Sequence, residues 1–197
     1  MKIQIVSILS ILLICSCNAV DSEKNTEHTV AKENNVVVKD TVNNFDKEQI
    51  VNYIGECEAR MMKDAGKRPV DLMAAQSLIS QYGSFIQQFP NDSAVPSYLF
   101  KQGELCIVVK NGKKAAACFS KIVNDFPNSL KLPYALYMCG FVNDDLLNDD
   151  ATARTYYELL IKKFPRHELC ASAKGAMQNL GKSDEQLIRE FEKKNRR

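Results

Sequence analysis

The sequence predicts an all-α protein, about seven or eight helices in antiparallel pairs, and three observations lead there. A five-position apolar set with offsets 0, 4, 7, 8 and 11 occurs three times: Leu78-Tyr82-Phe85-Ile86-Phe89, Ala115-Phe119-Ile122-Val123-Phe126 and Ala153-Tyr157-Leu160-Ile161-Phe164. That spacing is one face of an α-helix. Each set runs into a proline, at Pro90, Pro127 and Pro165, which lacks an N–H and restricts the residue before it, so each helix must stop there. The endings lie 37 and 38 residues apart, which leaves room for one further helix between them.

The elements follow in order. Phe45–Lys63 carries Ile50, Ile54, Cys57 and Met61 on one face and is expected to pack beside a helix over Asp71–Phe89. Ser93–Lys110 is amphipathic, with Val95, Tyr98, Leu99, Gln102, Leu105, Cys106 and Val109 inward. Pro96 falls in its first turn, where a missing N–H is harmless, and Asn91, Asp92 or Ser93 is available as its cap. Lys110–Lys114 then reads as a polar turn containing Gly112. The unit repeats: Asn128 or Ser129 can cap the next first-position helix, and Pro133 sits in its first turn. Gly181 stops a last first-position helix over His167–Leu180, and Ser183 with Gln186 has capping-box spacing for a terminal one. An open array needs a polar outer face on its terminal helices.

On these residues the chain resembles the tetratricopeptide repeat (TPR). The family's small residue of the first helix falls on Gly103 and Gly140, and that of the second helix on Ala115 and Ala153. Its aromatic four positions on is Phe119 and Tyr157, and its closing proline is Pro127 and Pro165. The sequence departs at the Trp position, which holds Leu99 and Leu136, and at a later small position, which holds Ile122 and Leu160. Each unit is also longer than the usual ~34 residues. The added residues follow Phe-Pro, as in TPR lipoproteins of the bacterial envelope, including the TPR subunit of the β-barrel assembly machinery. The resemblance covers about residues 71–180 and implies a right-handed superhelix with units near 45–90, 91–127, 128–165 and 166–195.

The two ends of the chain differ from its middle. Met1-Lys2 precedes an apolar run, Ile3–Ile14, that is too short to span a bilayer but has the length of a signal-peptide core. Ile14, Ser16 and Cys17 resemble a lipobox, which implies cleavage after Ser16 and acylation of Cys17. The plainer alternative is an ordinary secretory signal that contains two cysteines; the lipoprotein is preferred. Residues 18–44 are polar apart from Val36-Val37-Val38 and read as a flexible tether before a helical domain over 45–195. Asn18 in place of Asp lacks the inner-membrane retention signal of some bacteria and favours the outer membrane, taken here on its periplasmic face.

Chemistry-bearing patterns are weak. A net charge of +2 without a basic block argues against nucleic acid. Gly181-Lys182-Ser183 lacks the upstream glycine of a P-loop, since Ala176 holds that position. His28 and His167 stand apart, and Asn143–Asp150 reads as a polar turn before it reads as a cation site. No catalytic constellation, metal or other cofactor, or small-molecule substrate is therefore expected. Cys57, Cys106, Cys118, Cys139 and Cys170 are an odd number; a Cys106–Cys118 disulfide is one reading, and small buried hydrophobes the preferred one.

The resemblance implies a protein or peptide partner on the first-helix face. Its groove positions fall on Ser97, Phe100, Glu104 and Ile107, then Tyr134, Tyr137, Phe141 and Asp144. Phe100, Glu104, Tyr137 and Phe141 replace the residues of carboxylate-clamping TPRs, leaving an aromatic groove with acidic margins suited to an apolar anchor. Phe100 and Tyr137 fit groove and core equally well. The functional expectation is a non-catalytic membrane-tethered adaptor in the envelope, of the kind that serves outer-membrane assembly. The alternative is an accessory part of a cell-wall or degradative enzyme system.

Overall fold

A computed structural model describes residues 46–64 and 70–195, so the expectations for the leader, Cys17 and the tether lie outside the described residues. Among the described residues the chain forms eight α-helices and no strand. They are α1 Lys47–Asp64, α2 Leu72–Gln88, α3 Val95–Val108, α4 Gly112–Asp125, α5 Leu132–Asp145, α6 Asp150–Lys163, α7 Leu169–Asn179 and α8 Asp184–Asn195. From α1 to α7 each helix packs on the next, and α5 also reaches α7. The repeated apolar sets are the core: Leu78, Tyr82, Phe85, Ala115, Phe119, Ile122, Ala153, Tyr157 and Leu160 are all at most 2% exposed.

The Phe-Pro joints are superimposable in their hydrogen bonding. Phe89, Phe126 and Phe164 close their helices at φ −126°, −128° and −131° with ψ near 58°, each donating its N–H to the carbonyl four residues back. The proline that follows keeps them out of the helical region. Three residues past each Phe, the N–H of Asp92, Ser129 or His167 returns to the Phe carbonyl at 2.9–3.0 Å. The same three residues accept the N–H two positions on, through Asp92 Oδ1 (2.8 Å), Ser129 Oγ (3.1 Å) and His167 Nδ1 (3.2 Å). These side chains order the turn before the helix; the N-cap positions are Ala94, Lys131 and Glu168, which make no side-chain cap bond. Capping by Asn91, Ser93 or Asn128 is thereby replaced by a turn device at Asp92, Ser129 and His167.

The turns inside the pairs differ from expectation too. The left-handed residue is Lys110 (φ 57°) and, in the next unit, Asn148 (φ 53°), while Gly112 is already the first residue of α4. Gly112 serves space instead: a Cβ there would come within 2.9 Å of Leu146 Cβ. Asn111 and Asp149 cap α4 and α6 by accepting from Lys114 N and Thr152 N. At the far end Ser183 and Gln186 form the reciprocal capping box, at 2.9 and 3.3 Å.

Two contacts fix how closely the helices of a pair approach. A Cβ on Gly103 would sit 2.6–3.0 Å from the Phe119 ring, and one on Gly140 would collide with the Tyr157 ring. The outer pairs lack this contact. Gly55 and Gly175 have nothing within 4 Å of an added Cβ. In the first pair Tyr82 instead donates its hydroxyl to Glu58 Oε1 (2.6 Å) on α1, and Glu58 also accepts Lys101 Nζ from α3 at 3.0 Å. On α8, Glu185, Gln186, Arg189, Glu190, Glu192 and Lys193 are exposed, and Ile188 and Phe191 remain 50% and 63% exposed beside them.

These glycines give substitutions of opposite sign. Gly103→Ala and Gly140→Ala should each cost about 1–3 kcal/mol, because overpacking outweighs the gain in helix propensity. Gly55→Ala and Gly175→Ala, where the Cβ is unopposed, should instead gain up to about 1 kcal/mol. Urea denaturation of the four variants measures both signs.

Candidate functional site

The face expected to meet a partner is built by α3 and α5, with α1 and the start of α7 at its flanks. Pro96 and Pro133 are each the second residue of their helix, α3 and α5, so both helices begin at the same register and turn equivalent residues to the same side.

The groove residues separate by depth. Phe100 is 3% exposed, with its ring edge-on to Phe119 at 5.3 Å and to Tyr134 at 6.4 Å. It belongs to the core, because its position on α3 points toward the aromatic of α4, and it presents almost no surface to a partner. Ile107 is buried in the same cluster. Tyr137 is partly buried, its ring tilted on Tyr157 at 5.7 Å, and Phe141 also packs partly on the core. Tyr134 is half-buried; its ring meets His167 edge-on at 5.0 Å and its hydroxyl donates to Glu168 at 3.4 Å, linking α5 to the entrance of α7. Burial raises Tyr137 above the ordinary phenol range, with Asp144 adding to it. Asp144 is itself raised, by burial and then by Asp150 and Asp145. The apolar part of this face is thus Tyr134, Tyr137 and Phe141.

Glu104 is the outlier. It is 7% exposed, and its Oε1 is buried without a hydrogen-bond partner. Burial pushes its carboxyl up to about 7, against the pull of Lys131 and Lys101. Those lysines were not legible as site residues. Lys101 bonds both oxygens of Glu58 at 3.0 Å, and Lys131 places its Nζ 5.3 Å above the Phe100 ring. No family position marks either; the one local signal is that Lys101 precedes Glu104 by three, one helical turn away.

The remaining candidates stay structural. Cys57, Cys106, Cys118, Cys139 and Cys170 are free thiols, all but Cys57 buried. Cys118 donates to Gln102 Oε1 at 3.2 Å; its hydrogen bond with Cys106, together with burial, raises its pKa. Among the described residues no group of three or more His, Cys, Asp or Glu is placed to hold a metal ion, and no helix is long and apolar enough to cross a membrane.

Glu104 sets a pH dependence of stability. From the ordinary value of 4.5 to about 7, the unfolded chain releases a proton that the folded chain keeps. Stability should therefore fall as pH rises through that window and level off above it, by up to about 3 kcal/mol. Glu104→Gln should remove the fall, leaving a variant close to wild type at pH 5 and about 2 kcal/mol more stable at pH 8. Urea melts at the two pH values test this.

Residues 134–167 match the tetratricopeptide repeat family model. The matched window opens in α5, runs through α6 and closes at His167, where the third Phe-Pro joint ends. A comparison with curated proteins finds no match. The family match and the succession of helix pairs together support a tetratricopeptide-repeat protein with a TPR-like all-α fold.

Proposed function

We propose that this protein is a non-catalytic, membrane-tethered adaptor or scaffold of the bacterial cell envelope, acting in outer-membrane assembly. TPR repeats generally mediate protein–protein interaction, and the observation that carries the reading here is the α3–α5 face. Tyr134, Tyr137 and Phe141 lie partly exposed along α5, with Asp144 and Glu168 at their margins. Large, stiff aromatic side chains give contact area at low entropic cost, as partner-binding surfaces require. The envelope location rests on the sequence of the first 17 residues, in which Ile14 and Ser16 precede Cys17 as in a lipobox. Acyl chains on Cys17 would contribute about 0.8 kcal/mol per buried CH2, enough to hold the chain on a membrane.

Two measurements test the reading. Cys17→Ser should move the protein from the membrane to the soluble fraction and abolish incorporation of labelled palmitate. Affinity capture of the tagged protein from detergent-solubilised envelopes should bring down outer-membrane assembly components. Peptidoglycan-bound material in their place would transfer the role to a cell-wall system. Tyr137→Ala should reduce that capture severalfold while the helical signal persists. Phe100→Ala, a core truncation, should instead cost about 3–5 kcal/mol of stability.

A further inference from the structure

Glu104 carries a buried carboxyl oxygen that the fold leaves unused. Its Oε1 is buried and has no donor, although the side chain lies on the helix face that the partner-binding reading assigns to recognition. Two cations stand nearby and neither reaches that atom: Lys101 is committed to Glu58, and Lys131 lies over the Phe100 ring at 5.3 Å. The position of Lys131 shows what the locality accepts. An ammonium already rests on an aromatic face beside a carboxyl group whose Oε1 lacks a donor, and that combination recognises protonated amines and guanidinium groups. The surrounding charge has the same preference. Glu58, Glu104, Asp144 and Glu168 stand along this face against Lys101 and Lys131, so its balance is acidic.

We propose that Glu104 is the anchor for a lysine or arginine side chain of the protein partner, an inference that rests on the partner-binding reading above. Lys131, which covers the Phe100 ring, swings aside to open the way; the incoming cation then donates to Oε1, while flanking apolar residues of the partner lie on Tyr137 and Phe141. An acidic partner is disfavoured, because it would bring like charge against Asp144 and Glu168. A carboxylate that lowers the stability of its own helix pair yet lies at the register of a binding face is the pattern expected of a recognition residue.

The test uses the full chain in detergent and a phage-displayed library of random 12-residue peptides. Wild type should enrich peptides with a Lys or Arg at a fixed distance from an apolar residue. Replacing that cation by Gln should weaken binding to wild type at least tenfold and leave binding to Glu104→Gln unchanged. Glu158→Gln, which removes an exposed carboxylate on α6, should keep the full cation preference and so separate a site from general attraction. Enriched peptides without a cation preference, or a preference that persists in Glu104→Gln, overturn the role of Glu104 and leave the partner-binding reading standing. Enrichment of no peptide overturns both.

Discussion

The approach of an aromatic ring to a bare backbone sets the geometry of this repeat. Phe119 lies against Gly103 and Tyr157 against Gly140, at distances where a methyl group does not fit. Each contact draws the second helix of a pair onto the first, and the spacing of all other side chains between them follows. Ala115 and Ala153, fully buried one turn before those rings, are small for the same reason. Interiors are close-packed, so a separation fixed at one level is felt along the whole interface. The pairs that lack the contact show its importance by contrast. α1 is held to α2 and α3 by the Tyr82–Glu58–Lys101 network, and α8 leaves Ile188 and Phe191 in solvent.

The fold was legible because its determinants are local and repeated. Apolar offsets, proline stops and small residues opposite aromatics each follow from one-dimensional spacing, and they recur in register. The joints were less so. Asp92, Ser129 and His167 perform one task with a carboxylate, a hydroxyl and an imidazole, and no residue-type pattern joins them. What they share is an acceptor atom one or two bonds beyond Cβ, within reach of the N–H two positions on. Their equivalence is visible only when counted from the preceding Phe-Pro. Gly112 misled in the opposite way: glycine marks both left-handed turns and close packing, and here Lys110 takes the strained conformation while Gly112 makes room for Leu146 and Leu147.

The candidate site was half legible. The register of the first helices placed Tyr134, Tyr137 and Phe141 on one side, where they are found partly exposed. It did not determine depth. Phe100 and Tyr137 occupy comparable faces of α3 and α5, yet Phe100 is covered by Phe119, Tyr134 and Lys131, whereas Tyr137 keeps part of its ring outward. Depth depends on which neighbours reach across from the adjoining unit, and such contacts have no fixed sequence separation. The lysines escaped for the same reason: Lys131 acts on α3 from the threshold of α5.

Burial of polar groups separates structure from function more sharply than register does. Among the described residues the buried polar side chains are Gln102, Glu104 and Asn143. Gln102 donates to Ile79 O at 2.8 Å and accepts from Cys118, joining α2, α3 and α4, and Gly83 leaves the space it needs. Asn143 donates to Cys139 O at 2.8 Å and its own carbonyl receives Asp149 N, closing the turn between α5 and α6. Both are satisfied within the repeat, so their polarity is explained by the fold. Glu104 is not: a hydrophobic residue of its size would pack there at lower free energy, and burial alone keeps its carboxyl near 7. A group that the fold could dispense with, set on the face where partly exposed aromatics gather, finds its explanation in what binds there.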